Sequence, residues 1–219
     1  MTTYEFWQPI QLSIMIAVVS LVIVTVVGIF VSWWMAKSKF RGKTIVETFL
    51  ILPIVLPPTV IGFLLVIIFG KNGPIGKMVD VVFNTSIIFT ITAAIIAAVV
   101  VSFPLMYQSV KTGFQAIDPA IEEAARVDGG SEWIVFRYIS IPLCFKPIIS
   151  GIVLSFARAL GEFGATIMFA GNIPGKTQTI PTAIYVAFES NQMGIAWAWV
   201  ISIITISYLM LFLLRRKNA

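Results

Sequence analysis

Residues 6–36 read FWQPIQLSIMIAVVSLVIVTVVGIFVSWWMA, with no charged side chain anywhere in the run. Crossing a bilayer takes about 20 predominantly apolar residues, and the core of this stretch, from Ile10 to Trp34, exceeds that. The segment therefore predicts a membrane-spanning helix. It is too long for the apolar region of a secretory signal, its flank holds Glu5 but no Lys or Arg, and no small-residue cleavage site follows, so it is expected to be retained.

Working outward, similar windows recur at 48–70, 81–110, 147–175 and 190–214, the fourth interrupted only by Arg158 and Glu162. Five spans are expected. Composition agrees: of 219 residues 58% are hydrophobic and 11% charged, with a mean hydropathy of +0.97. A soluble domain carries about a quarter charged residues, so this chain is read as one integral membrane domain at 10–214 with no room for a separate catalytic domain. The absence of His removes the commonest general base and metal ligand. Cys144, the single cysteine, cannot form an internal disulfide and reads as a buried small apolar residue.

The net charge of +5 is a topology signal. Lys37, Lys39, Arg41 and Lys43 follow the first window; Lys111, Arg126, Arg137 and Lys146 follow the third; Arg215, Arg216 and Lys217 follow the fifth. The opposite side holds Lys71, Lys77 and Lys176. Eleven cations against three place the N-terminus outside and the C-terminus in the cytoplasm, and leave no basis for a nucleic-acid partner. An odd number of spans does not divide into two inverted halves, which argues against many secondary-transporter designs. Pro53, Pro57, Pro58 and Pro104 lie inside windows and are expected to kink their helices, either shaping a pathway or reflecting the general frequency of Pro in membrane helices.

The long polar connection, 111–146, carries helix signals. Asp118-Pro119 is an N-cap followed by Pro at the first helical position, Glu122 and Glu123 sit near the positive end of the helix dipole, and Arg126 lies in the last turn. Gly129-Gly130 ends that helix, and Ser131 can cap a second short helix over 132–138. Glu123-Ala124-Ala125, then Gly129, then Ile139-Ser140-Ile141-Pro142 resembles the EAA loop of ABC importer permeases, with Ile141 where the family prefers Leu. The resemblance implies a coupling helix, with Glu122, Glu123, Ala124, Ala125 and Gly129 as its residues, seated in a groove of a cytoplasmic ATPase. The bland alternative is an amphipathic hairpin on the membrane surface.

Leu52 to Val60 (LPIVLPPTV) and Ser155 to Thr166 (SFARALGEFGAT) resemble the molybdate and sulfate permeases, and Gly171 to Pro181 (GNIPGKTQTIP) is closer to the molybdate branch. The family resemblance implies an all-α, five-span permease that pairs with a second copy. It would work with two ATPase subunits and an external substrate-binding protein, and pass an oxyanion by alternating access, with no cofactor and no enzymatic activity of its own. Molybdate is the expected cargo, sulfate or tungstate the neighbouring alternatives. An ATP-independent channel, or a membrane sensor or scaffold, is the reading outside this class.

Arg158 and Glu162 are the only charges inside a window and stand four apart, neighbours on one helix face. Two readings are open: a structural or gating pair, or an arginine beside the anion route restrained by a carboxylate. Gly151, Ser155 and Ala159, and likewise Ala157, Gly161 and Ala165, form small-residue rows that suit close helix packing, within the subunit or between two copies. Residues 170–177 (AGNIPGKT) fit a relaxed phosphate-loop pattern, but no strand precedes them and Pro181 follows, so Asn172, Lys176, Thr177 and Gln178 are expected to offer an external docking loop instead. Glu5, Asp80 and Glu189 are too scattered to suggest paired catalytic acids. Trp7, Trp33, Trp34, Trp197 and Trp199 fall near window ends, as interfacial aromatic belts do.

Overall fold

A computed structural model of the chain describes residues 3–216, and Lys217 of the C-terminal basic cluster lies outside them. In chain order the helices are α1 (Thr3–Lys37), α2 (Lys43–Val55), α3 (Pro58–Phe69), α4 (Pro74–Phe83), α5 (Ile91–Gln115), α6 (Pro119–Val127) and α7 (Glu132–Val135). A π-helical turn (Phe136–Ser140) leads into α8 (Ile141–Leu143), followed by α9 (Phe145–Leu160), α10 (Gly164–Phe169), α11 (Ile180–Glu189) and α12 (Met193–Arg216). Among the described residues there is no strand. Helices α1, α5 and α12 are each long and apolar enough to cross a membrane, and two sharply bent pairs raise the possible spans to five.

The bends correct the expected windows. At 48–70 the chain makes α2 and α3, inclined at 118° to one another. Each of the successive prolines pushes its predecessor out of the helical region, so Leu56 and Pro57 are extended (ψ 139° and 137°) and α3 restarts with Pro58 at its first position. Pro53 and Pro104, by contrast, sit inside continuous helices. The 81–110 window is split as well: α4 closes on left-handed Asn84, and α5 begins only after Thr90, whose hydroxyl accepts the Ala93 N–H. In the fourth window α9 stops at Gly161 and α10 follows, while upstream the 132–143 stretch meets α9 at 71°. Helix α11 lies between the fourth and fifth windows, where no element was expected.

Helices α1, α5 and α9 form the centre. On α1 the packed stripe joins small residues (Ser13, Ala17, Ser20, Gly28 and Ser32) to the apolar Ile10, Ile16, Val24 and Met35, whereas Val22 and Val26 face outward. Lipid is as apolar as a side chain, so hydrophobicity alone does not select the face, and small residues that permit close packing share it with the apolar ones. The serines bond within the protein: Ser32 donates to the Tyr107 carbonyl at 3.0 Å, and Ser13 accepts from the Ile180 N–H at 2.8 Å. Ala93, Ala94, Ala97 and Ala98 give α5 an equally small face. At the α5–α9 crossing Gly151 meets Met106, and the Ser155 hydroxyl donates to the Ser102 carbonyl at 3.2 Å. The Gly151–Ser155–Ala159 row thus packs within the chain. Of the second row, Ala165 is buried, but Ala157 and Gly161 are exposed.

Candidate functional site

The 111–146 connection folds as a compact helix–glycine–helix element. Asp118 Oδ1 caps α6 by accepting the Ala120 N–H at 2.9 Å, with Pro119 at the first helical position. At the other end Gly130 N–H donates to the Ala125 carbonyl and Gly129 N–H to that of Arg126, the paired bonds of a Schellman stop. Gly129 takes the left-handed conformation that stop requires, φ +90°. Arg126 grips Glu132 with two bonds, Nε to Oε1 at 2.6 Å and Nη2 to Oε2 at 3.3 Å, tying α6 to α7. The expected second helix over 132–138 is one α-turn capped by the Ser131 hydroxyl and continued as the π-turn.

Helix α6 has two unlike sides. Glu122 points inward and is 8% exposed. Its Oε2 lies 2.8 Å from Lys37 Nζ at the end of α1 and 3.6 Å from Arg126, and its Oε1 accepts the Ser140 hydroxyl at 2.6 Å. Burial by itself would raise the Glu122 carboxyl, but the bonds from Lys37 and Ser140, with the charges of Lys37 and Arg126, outweigh it and hold the group below its ordinary value. Glu123 and Ala124 face out, and Ala125 is half-buried. Ile121, Val127, Trp133, Ile134 and Tyr138 are exposed apolar groups at this strongly basic end of the molecule. Beneath them Phe136, 1% exposed, sits among Phe30, Trp33, Phe114 and Trp133, with ring centroids 4.7–6.3 Å away. Sequence reasoning missed Lys37 and Ser140 as partners of this element; the i,i+4 spacing of Glu122 and Arg126 was the available signal.

Within the helical body Arg158 pairs with Glu162 through Nη1 and Oε2. Glu162, 2% exposed, also accepts the Ala165 N–H at 2.7 Å, so the same carboxylate caps α10 after the chain breaks at Gly161. A second polar feature was not anticipated. Gln108, Thr112, Lys146 and Ser150 are exposed along the α5–α9 seam and line a groove of about 590 Å³. Thr112 and Lys146 belong to the polar connection at 111–146, so the row opens at the end of the molecule that carries that connection.

At the opposite end, the 171–178 loop lies against the start of α1, where a Cβ on Gly175 would meet the Gln8 amide at 3.1 Å. Lys176 is exposed, and Gln178 lines a groove with Glu5, Gln8, Pro174, Gln192 and Trp199. Asn172 is half-buried. Thr177 is wholly buried, its hydroxyl accepting the Ile173 N–H at 3.0 Å, so it shapes the loop from inside and presents nothing to a partner. The phosphate-loop pattern has α10 before it and no helix beginning until Ile180. Trp199 also departs from expectation: it is buried, stacks on Phe6 and donates Nε1–H to the Phe6 carbonyl at 3.1 Å. Trp7, Trp34 and Trp197 are exposed.

A family model described as "Binding-protein-dependent transport system inner membrane component" matches residues 28–217. The chain is 55% identical over 214 residues to a Bacillus subtilis protein named putative molybdenum transport system permease protein YvgM, covering 98% of this chain and 94% of that one. It is 41% identical over 199 residues to the Escherichia coli K12 molybdenum transport system permease protein ModB, covering 90% and 87%. A subunit of a bacterial ABC transporter that imports the acidic polysaccharide alginate shares the fold, with a TM-score of 0.78 at 18% identity over 100% of this chain and 82% of that one.

Proposed function

The chain belongs to the family of binding-protein-dependent transport system inner membrane components, and we propose that it is the membrane subunit of an ATP-driven importer that brings molybdate into the cell. It is a multi-pass membrane permease. The observation that carries the cargo is the long, high-identity match to two proteins named as molybdenum permeases, at 55% and 41% identity. The resemblance of residues 171–181 to the molybdate branch points the same way.

The permease domain is taken as residues 10–214, with a second copy completing the pathway. The exposed polar α5–α9 seam is the face at which that pairing is proposed, since Gln108 and Thr112 would meet protein or water there in place of lipid. These side chains are neutral, with Lys146 as the one cation among them. A tetrahedral dianion would meet hydrogen-bond donors and one ammonium, enough to admit it and weak enough to let it go.

Helix α6 is the surface offered to the ATPase. Its outward face, Glu123 and Ala124 with Ile121 and Val127 beside them, stands clear of the body, while Gly129 and the Arg126–Glu132 clamp fix its angle. Closure of the ATPase subunits on ATP would move α6, turn the helices joined to it and open the pathway toward a loaded binding protein docked near Asn172, Lys176 and Gln178. Hydrolysis and release would restore the inward-facing state. Arg158 and Glu162 serve as a structural or gating pair in this scheme, since one carboxylate both neutralises the arginine and caps α10.

The test is energised uptake of labelled molybdate into vesicles holding this chain with its ATPase and binding protein. ATP-dependent uptake that resists excess sulfate is the expected result, and competition with tungstate measures discrimination between the two closest oxyanions. Uptake of sulfate in preference would overturn the cargo. Uptake of any oxyanion without the ATPase would overturn the mechanism and favour a channel.

A further inference from the structure

Glu122 is the one carboxylate of α6 turned into the protein, and two other elements converge on it: Lys37 ends α1 and Ser140 ends the π-turn, while Arg126 joins them from α6 itself. An apolar contact lets two helices slide past one another, because dispersion has no preferred direction. A buried carboxylate held by directional donors does not slide cheaply: displacing it strips charge-assisted bonds from a group that water reaches poorly. Phe136 lies under this point, wedged against Phe30 and Trp33 of α1, and Lys37 Nζ rests 5.4 Å from the Trp33 ring. Movement of α6 is therefore tied to the end of the longest helix of the chain.

We propose that Glu122 is the positioning residue of the coupling step, and that its ion pair with Lys37 is the joint through which displacement of α6 is passed to α1. Glu123, the glutamate of the recognised motif, faces the other way and belongs to the docking surface. The proposal rests on the importer reading and names which of two adjacent glutamates transmits and which one touches the partner. The same carboxylate could merely stabilise the fold, in which case its loss would lower the amount of assembled transporter without changing what each assembled unit does.

The experiment uses the full complex in vesicles, scored as molybdate taken up per ATP hydrolysed and normalised to the permease recovered with its ATPase. Glu122→Gln keeps the acceptor for Ser140 but removes the charge; Lys37→Met removes the partner; Lys37→Arg keeps it. A coupling contact of ordinary strength predicts that the ratio falls about fivefold or more in each of the first two and holds in Lys37→Arg. The double variant Lys37→Met with Glu122→Gln should be no worse than the poorer single variant, because each already removes the Lys37–Glu122 pair. An unchanged ratio in both single variants overturns the joint, and so does a double variant whose losses simply multiply. Absence of ATP-dependent uptake in the unsubstituted complex would instead remove the importer reading, and the joint with it.

Discussion

The Glu162 carboxylate accepts the backbone N–H of Ala165 at 2.7 Å, so one member of the structural or gating pair also satisfies the first turn of α10. Its other oxygen takes the Arg158 guanidinium. The two partners are not equivalent, since Glu162 is 2% exposed whereas the Arg158 side chain is 30% exposed. Arg158→Ala strands a buried charge and should cost about 3 kcal/mol. Glu162→Gln leaves an acceptor for Ala165 and should cost about 1 kcal/mol. Thermal unfolding of the purified protein in detergent measures both, and the reverse order would show that Arg158 does not depend on this pair for its role.

Gly129 isolates the backbone requirement of the α6 stop from any steric one. A Cβ there would meet nothing within 4 Å, yet φ is +90°. Gly129→Ala should therefore lose about 1–2 kcal/mol through conformation alone, and Gly129→Asn should lose less, because Asn enters the left-handed region more readily. Uptake per ATP should follow the same order if the turn sets the angle of α6. Equal loss in both variants would point to a contact made by Gly129 in the assembled complex.

Two glycines at the α5–α9 contact should differ in tolerance. A Cβ on Gly151 would fall 2.6 Å from Met106 Sδ, the far part of a buried but flexible side chain, and 3.3 Å from Ser109 Cβ. On Gly113 it would fall 2.5 Å from Cys144 Sγ and 2.6 Å from the Pro147 ring, which cannot swing aside. Overpacking of a rigid site costs about 1–3 kcal/mol, so Gly113→Ala should unfold at a clearly lower Tm than Gly151→Ala.

Much of this architecture was legible because the relevant physics is local. Asp118-Pro119, Gly129-Gly130 and Ser131 announced the caps that the structure forms, since a cap depends on residues within one turn. The Pro57-Pro58 break was visible as a break; its 118° angle was not, being set by what α3 packs against. Continuous hydropathy hid the interruption at Gly161 and the helix α11. Nor could spacing tell Glu122 from Glu123: adjacent residues lie on different sides of a helix, and the choice depends on Lys37, distant in sequence. The buried stripe of α1 was present in the spacing of Ser13, Ala17, Ser20, Val24 and Gly28, but hydrophobic residues lie on both faces and only the small ones distinguish it.

Acid should loosen the α6 joint in a defined direction. The Glu122 carboxyl is held below its ordinary value of 4.5 in the folded protein. Its contribution is therefore complete above that value and is lost as the pH falls through the lower folded value. Glu122→Gln mimics the protonated acid, so the Tm difference between the unsubstituted protein and this variant should be full at neutral pH and shrink on acidification below about 4.5. A difference that persists unchanged in acid would mean the charge of Glu122 contributes nothing to stability.

The α5–α9 seam separates a pathway from a merely tolerated polar row. Gln108 and Thr112 lie one turn apart on α5 with Lys146 and Ser150 across the groove, yet Ser150 already donates to the Lys146 carbonyl at 3.1 Å. The amide of Gln108, the hydroxyl of Thr112 and the Lys146 ammonium are the groups left to meet an anion. If the groove faces lipid, Gln108→Leu and Thr112→Val remove polar groups from hydrocarbon and should raise Tm with uptake intact. If it carries the oxyanion, the same variants should lower maximal uptake while binding to the external protein is unaffected, and Lys146→Met should lower it further, because the one charge that attracts a dianion is gone. Lys146→Arg keeps that charge and should restore most of the rate, which distinguishes attraction of the anion from a topological role for the cation only when both are scored at equal membrane abundance.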